Sequence, residues 1–185
     1  MSLARVIERG AMREIVLPEA KPAYEWILGR AVQKVSPRRA HALLQAAFSA
    51  ALSAWAEGRG EVGTEWEFRP APPGEERRPL VPDVAFVSFE RVHGLSDADR
   101  EKPPFAPDVA VEVRSPSDRE QNIDEKVRVY LAAGARLVVL VDPQAGSITA
   151  IDADEERTFL DGDVLAHPAL PGFSLPLDPF FARIA

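Results

Sequence analysis

The sequence predicts an α/β protein with a mixed β-sheet. Short apolar runs typical of strands are interspersed with two longer helical segments, and the two types do not alternate strictly. No linker divides the chain, and a length of 185 residues suits one domain. We therefore expect a single domain over residues 1–185, in which residues 1–20 form an N-terminal extension.

The first predicted elements are a hairpin and a long helix. Residues 24–35 read as two short strands that turn at Gly29. Ser36 is a typical N-cap residue and Pro37 suits the first helical position, so a helix is expected to start here. Apolar residues at helical spacing extend this prediction to about Glu57.

The remaining chain predicts a sheet with one further helix. Five strands are expected, over residues 61–68, 80–88, 108–114, 137–141 and 147–151. Polar loops that contain proline separate the first three of these strands, at residues 69–79 and 89–106. A helix is expected over residues 119–133, with Gly134 as its C-terminal cap.

Composition excludes several classes of protein. The formal net charge is −7 and the pI is about 5.1, which argues against a generic basic coat for nucleic acid. The chain has no cysteine, so we expect no disulfide-linked partner, thiol nucleophile or zinc ribbon. No apolar run approaches the ~20 residues of a membrane span, and no signal peptide is recognisable. We expect a cytoplasmic protein that does not associate with membranes.

Two acidic residues and a lysine stand out against apolar surroundings. Asp83 lies near the start of the strand predicted over residues 80–88, and Glu112 interrupts the run Val-Ala-Val-Glu-Val in another. A buried carboxylate needs a cation beside it, because burial without one costs several kcal/mol. Lys126 lies at the border of the core-facing stripe of its helix. These residues are compatible with a Mg²⁺ site for phosphodiester chemistry, or with a structural ion pair of Glu112 with Arg114 or Lys126.

A family resemblance favours the first alternative. The order Pro82-Asp83, then Glu112-Val113-Arg114, is similar to the Asp…(Glu/Asp)-x-Lys signature of the PD-(D/E)XK nuclease superfamily. Further motifs follow in one order, at residues 24–29, 36–37, 41, 82–87, 107–118, 125–134, 141–143 and 170–175. Together they resemble the Uma-two family of restriction-endonuclease-like proteins, over about residues 20–181.

The resemblance implies a mixed central sheet flanked by helices and a Mg²⁺-dependent endodeoxyribonuclease, with Mn²⁺ as a possible substitute. Asp83 and Glu112 match the metal-binding acids, together with the carbonyl of Val113. Arg114 occupies the position where the superfamily keeps its lysine, and arginine can bind phosphate but cannot act as a base. Lys126 is expected to supply the missing ammonium from the following helix.

Three more residues are candidates for lining the site. Glu25 and His41 match family positions, and Gln45 lies one helical turn after His41.

The function has open alternatives. DNA is the expected substrate and a homodimer the expected assembly. The alternatives are a catalytically inactive DNA-binding or interaction module and a phosphodiesterase for smaller nucleotides, which the acidic net charge would suit better than long DNA.

Overall fold

The computed structural model of the protein describes residues 3–9 and 12–185. The strands are β1 Arg5–Arg9, β2 Met12–Val16, β3 Tyr24–Ile27, β4 Arg30–Gln33, β5 Gly60–Thr64, β6 Val84–Ser88, β7 Val109–Val113, β8 Leu137–Asp142, β9 Ser147–Ile151, β10 Glu156–Phe159, β11 Val164–Leu165 and β12 Leu175–Pro176. The helices are α1 Arg39–Ala56, α2 Phe89–Val92, α3 Asp97–Glu101, α4 Glu120–Ala132 and α5 Leu177–Phe181.

Six strands form the central sheet in the order β10-β9-β8-β7-β6-β5. Only β7 and β8 of this sheet run parallel, and α4 makes the crossover between them that a parallel pair requires. The predicted α/β class with a mixed central sheet and flanking helices is therefore confirmed. None of the helices in the described part of the chain has both the length and the hydrophobicity that crossing a membrane requires.

The alternation of side chains along β7 assigns each face of the sheet to one long helix. Val109, Val111 and Val113 belong to the large core cluster that includes the buried residues of α1. Ala110 packs in a second cluster with α4, and Glu112 lies on the same face two residues later. The polar residue of the strand is thereby brought beneath α4, at the carboxyl end of β7.

Smaller hairpins flank the sheet, and the expected N-terminal extension contains one of them. Strands β1 and β2 pair antiparallel, and the backbone N–H of Ile15 donates to the carbonyl of Arg77 at 2.8 Å. Residues 1, 2, 10 and 11 of the expected extension lie outside the described residues. Strands β3 and β4 form the predicted hairpin, with register partners that include Glu25 and Val32.

Several predicted boundaries are wrong for identifiable reasons. Helix α1 begins at Arg39 because the backbone of Arg38 is still extended, so Ser36 does not cap it. Strand β5 ends at Thr64 because Glu65 adopts a φ of 52°, which breaks the strand predicted over residues 61–68. Strand β6 begins only at Val84. The extended segments before α1 and before β6 carry residues of the site described below.

Gly60 is essential to the pairing of β5 with β6. A Cβ atom at this position would lie 2.1 Å from the carbonyl oxygen of Val87, which is fixed backbone of the neighbouring strand. We expect Gly60→Ala to lower the free energy of unfolding by about 2 kcal/mol or more, because the two strands must move apart. Urea denaturation measures this, with the exposed neighbour Glu61→Ala as the control. An unchanged stability of Gly60→Ala would contradict the described register.

Candidate active site at the end of the central sheet

The pairing of β6 with β7 brings the two predicted acids together. Val84 is the register partner of Val111, and continuing this register by one residue places Asp83 opposite Glu112. Directly opposed side chains on one face have Cβ atoms only about 5 Å apart. The Asp83 Oδ2 atom also accepts a hydrogen bond of 2.7 Å from the backbone N–H of Val113. Both carboxylates are buried, with exposed fractions of 3% and 5%.

Helix α4 supplies two donors to one oxygen of Glu112. The Nζ atom of Lys126 lies 2.7 Å from Glu112 Oε1, and the hydroxyl of Tyr130 donates to the same oxygen at 3.0 Å. Lys126 and Tyr130 are four residues apart, so they project from one face of the helix. Among the described residues no donor reaches the other oxygen, Oε2. That oxygen therefore retains its capacity to bind a ligand.

Asp83 has a fuller set of donors. Its Oδ1 atom lies 2.8 Å from the Nζ atom of Lys34, and His41 Nε2 lies 3.1 Å from its Oδ2. Lys34 also donates to the carbonyl of Val81 at 2.9 Å and contacts Glu65 at 3.0 Å. The Asp83 carboxylate is thus held by the end of the β3–β4 hairpin, by α1 and by β7.

The β3–β4 hairpin brings a third buried carboxylate to the site. Glu25 on β3 contacts Lys126 Nζ at 2.8 Å, and the same Oε1 atom accepts from the backbone N–H of Val81 at 2.8 Å. Because Lys34 binds the carbonyl of Val81, the hairpin holds this residue from both sides of its backbone. Lys126 therefore bridges Glu25 and Glu112, while Lys34 bridges Asp83 and Glu65.

A cleft of about 400 Å³ opens onto these groups between the β3–β4 hairpin and the start of α4. Its wall includes Asp83, Glu112 and Lys126, and the exposed residues Arg30 and Arg119 line it further out. A second cleft of about 530 Å³ lies beside the hairpin, and it also reaches Asp83. The two clefts share Lys34, His41 and Asp83 in their walls.

Burial and the neighbouring charges shift the pKa values in opposite directions. Burial alone would raise the pKa of Asp83, but the hydrogen bond from His41 and the charge of Lys34 hold it well below its usual value. Burial raises the pKa of Glu112 to about 7, although Lys126 opposes this shift. Burial disfavours the ammonium of Lys126, yet Glu112 and Glu25 raise its pKa overall. The two carboxylates therefore favour the protonated, cationic form of Lys126.

The donor set suits one hard divalent cation. Four carboxylates and two ammonium groups leave this cluster with a formal charge of −2 when His41 is neutral. Within residues 3–9 and 12–185, no three His, Asp or Glu side chains are gathered as a metal site on their own. Mg²⁺ needs no such group, because it binds through one or two carboxylates and keeps several waters. Asp83 and Glu112, beside the cleft-lining Val113, fit that requirement.

Two further candidates are placed differently from the carboxylate pair. Arg114 is not among the residues that line the cleft beside Asp83 and Glu112, since its guanidinium contacts Glu120 and lies 3.8 Å from Asp142, and its role as a phosphate-binding residue stays a prediction. In a strand, residues two apart point to the same face of the sheet. Strand β7 ends at Val113, so this alternation does not place Arg114 on the face of Glu112. Gln45 does line the second cleft, where it donates to the backbone carbonyl of Asp83 at 2.9 Å.

Sequence reasoning missed three residues of the cluster, Lys34, Glu65 and Tyr130. The first had a detectable signal, since the chain has only four lysines and two of them lie here. Tyr130 lies at an apolar position of α4, and helical spacing alone predicts a core residue there and gives no sign of the hydroxyl contact with Glu112. Glu65 follows β5 directly, and no periodicity distinguishes it from an ordinary loop residue.

Comparisons with known proteins agree with the resemblance seen in the motifs. A family model described as Uma2, "Putative restriction endonuclease", matches residues 14–178. A crystal structure of a putative nuclease belonging to DUF820 from Anabaena variabilis ATCC 29413 has a similar fold, with a TM-score of 0.80. The two share 20% sequence identity, and the match covers 91% of this chain and 95% of the other. No curated protein matches the chain.

The raised pKa of Glu112 predicts a specific pH dependence of stability. Since the folded-state pKa of about 7 exceeds the ordinary value, Glu112 adds stability at low pH that is lost as the pH rises towards 7. In chelator-treated protein, we expect the stability advantage of wild type over Glu112→Gln to fall between pH 5 and pH 8, by on the order of 2 kcal/mol. Urea unfolding at both pH values measures it.

The control is Glu156→Gln on the exposed strand β10. The free energy of unfolding of this variant should change with pH in parallel with that of the wild type. A difference between wild type and Glu112→Gln that stays constant or grows with pH would show that burial does not dominate at Glu112.

Proposed function

Because the chain belongs to the Uma2 family, described as "putative restriction endonuclease", we propose that it is a Mg²⁺-dependent endodeoxyribonuclease that hydrolyses phosphodiester bonds of DNA. One observation carries the proposal. Two buried carboxylates, Asp83 and Glu112, oppose each other at the end of the sheet and line a cleft, each beside an ammonium group. Mn²⁺ is expected to substitute for Mg²⁺, since both prefer oxygen ligands.

Each residue of the cluster has a role that follows from its contacts. Asp83 and Glu112 would hold the cation, with the carbonyl of Val113 as a further oxygen ligand. A bound divalent cation polarises a phosphoryl oxygen and lowers the pKa of an attacking water. Lys126 keeps its proton, so it would donate a hydrogen bond to developing negative charge and would not act as a general base. Tyr130 and Lys126 together fix Glu112 through one oxygen.

Charge at the cleft supports a nucleic-acid backbone as the substrate. Arg30 and Arg119 line the cleft, and neither forms an ion pair with an acidic side chain of the described residues. Two other arginines, Arg78 and Arg128, are already engaged in ion pairs, since both bind Glu75 and Glu125. We further propose a homodimer, which would present two clefts to the two strands of a duplex. Light scattering coupled to size-exclusion chromatography tests that assembly.

Two observations favour other functions. The cleft volume of about 400 Å³ lies within the range of small-molecule sites, and the net charge of −7 suits a small nucleotide better than duplex DNA. The cluster also satisfies its own charges through ion pairs, as a catalytically inactive relative would require. Comparing plasmid, oligonucleotide and cyclic-nucleotide substrates, with and without Mg²⁺, separates these alternatives from the proposed endonuclease.

Removing one member of the cluster at a time tests the proposed nuclease. We expect Asp83→Asn, Glu112→Gln and Lys126→Met each to reduce Mg²⁺-dependent relaxation of supercoiled plasmid at least 100-fold, because each removes a charge placed at the reaction centre. Excess chelator should abolish the relaxation by the wild type, and added Mg²⁺ or Mn²⁺ should restore it. The rates are measured by gel densitometry of nicked and linear products.

The matched control is Lys102→Met, which removes the same charge from a partly exposed lysine that contacts Glu19 and Glu67. Its cleavage rate should equal that of the wild type. Full activity of Glu112→Gln would contradict the assignment of the cation site. Unchanged activity in all four variants would point to a contaminating nuclease, and equal losses in all four would point to a general loss of folding.

A further inference from the structure

Lys34 occupies the one oxygen of Asp83 that a cation could use. The Oδ2 atom of Asp83 already accepts from the Val113 N–H and contacts His41, whereas Oδ1 accepts a hydrogen bond from Lys34. We propose that Lys34 is an internal counter-ion that competes with the divalent cation for Asp83 and thereby sets a low affinity for it. This inference rests on the proposed function, because it presumes that Asp83 binds a cation.

The contacts of Lys34 explain why it competes effectively. Its ammonium has three donors, and Asp83, Glu65 and the carbonyl of Val81 accept from it at 2.8–3.1 Å. The side chain is only 12% exposed, so little solvent screens its interaction with Asp83. A divalent cation at Oδ1 must therefore displace an ammonium that is already fully hydrogen-bonded.

The two lysines of the cluster differ in whether they leave a carboxylate oxygen available for a cation. Lys126 shares Glu112 Oε1 with Tyr130 and leaves Oε2 without a donor, so it supports ligand binding at Glu112. Lys34 instead covers the available oxygen of Asp83. Competition for the same oxygen is therefore specific to Lys34, although both ammonium groups repel a cation over a longer range.

Lys34 lies where its ammonium can move away from Asp83 and still contact solvent. The residue directly follows β4 and belongs to the walls of both clefts, so Nζ can leave Asp83 without leaving solvent-accessible space. Glu65 is about half exposed and already contacts Lys34 at 3.0 Å, so it remains a carboxylate partner after displacement. Cation binding would thus leave Lys34 paired with Glu65, and would not bury an unpaired charge.

Calorimetric titration with Mn²⁺ of chelator-treated protein, without any nucleic acid, tests the proposal. We expect Lys34→Met to bind Mn²⁺ at least tenfold more tightly than wild type, because Asp83 Oδ1 becomes available and one positive charge is removed. Lys34→Arg keeps the charge and should remain within threefold of wild type. Lys102→Met is the distant control and should not change the affinity.

The outcomes separate this inference from the proposed function. If wild type binds Mn²⁺ and folded Lys34→Met binds no more tightly, the competition is refuted while the cation site stands. If neither protein binds Mn²⁺, the proposed cation dependence fails and the inference fails with it. Binding by Lys34→Met alone would support the competition.

A second measurement on wild type covers the case in which Lys34→Met does not fold. The side-chain ¹H–¹⁵N signal of the Lys34 ammonium should shift as Mg²⁺ is added, because the ammonium leaves Asp83. An unshifted Lys34 signal in protein that has bound Mg²⁺ would overturn the proposal. The Lys102 ammonium, on the surface, serves as the internal reference.

Discussion

The carboxylate of Asp83 is the interaction on which the site depends, because it joins three parts of the chain that are distant in sequence. Its two oxygens contact Lys34 after the β3–β4 hairpin, His41 on α1 and the backbone of Val113 at the end of β7. A buried carboxylate that lost these partners would cost several kcal/mol, so the fold and the charge arrangement stabilise each other. The low pKa of Asp83, which His41 and Lys34 maintain against the effect of burial, keeps it ionised under ordinary conditions.

The chemistry of the site follows from the two-residue period of β7. Its valines pack against α1 in the main core, while Ala110 and Glu112 face α4. A shift of one residue in register would exchange the two faces and bury Glu112 in the apolar cluster. The helical period of α4 contributes as well, because Lys126 and Tyr130 lie on successive turns and both contact the Oε1 atom of Glu112. The apolar pattern that specifies the core therefore also determines which oxygen of Glu112 can bind a ligand.

Sequence reasoning succeeded where one element's periodicity decides the outcome. The sheet, the two long helices and the convergence of Asp83 with Glu112 and Lys126 follow from alternation and helical spacing. Periodicity gives no position for side chains on irregular backbone, such as Arg114, which lies beyond the end of β7 and contacts Glu120. Lys34 lies in an extended segment after β4, so no period connects it with Asp83, 49 residues later. Such contacts depend on how the hairpin docks against the segment before β6, and single-sequence patterns carry no information about docking.

The central claim is that Asp83 and Glu112 hold a divalent cation between them. Anomalous X-ray diffraction from crystals soaked in Mn²⁺ tests it most directly, because the anomalous signal locates the metal independently of any activity. The account predicts one strong peak within bonding distance of Asp83 Oδ1 and Glu112 Oε2, with the ammonium of Lys34 moved off Asp83. A saturated soak that gives no peak at these two oxygens, or a peak only at surface carboxylates, would contradict it.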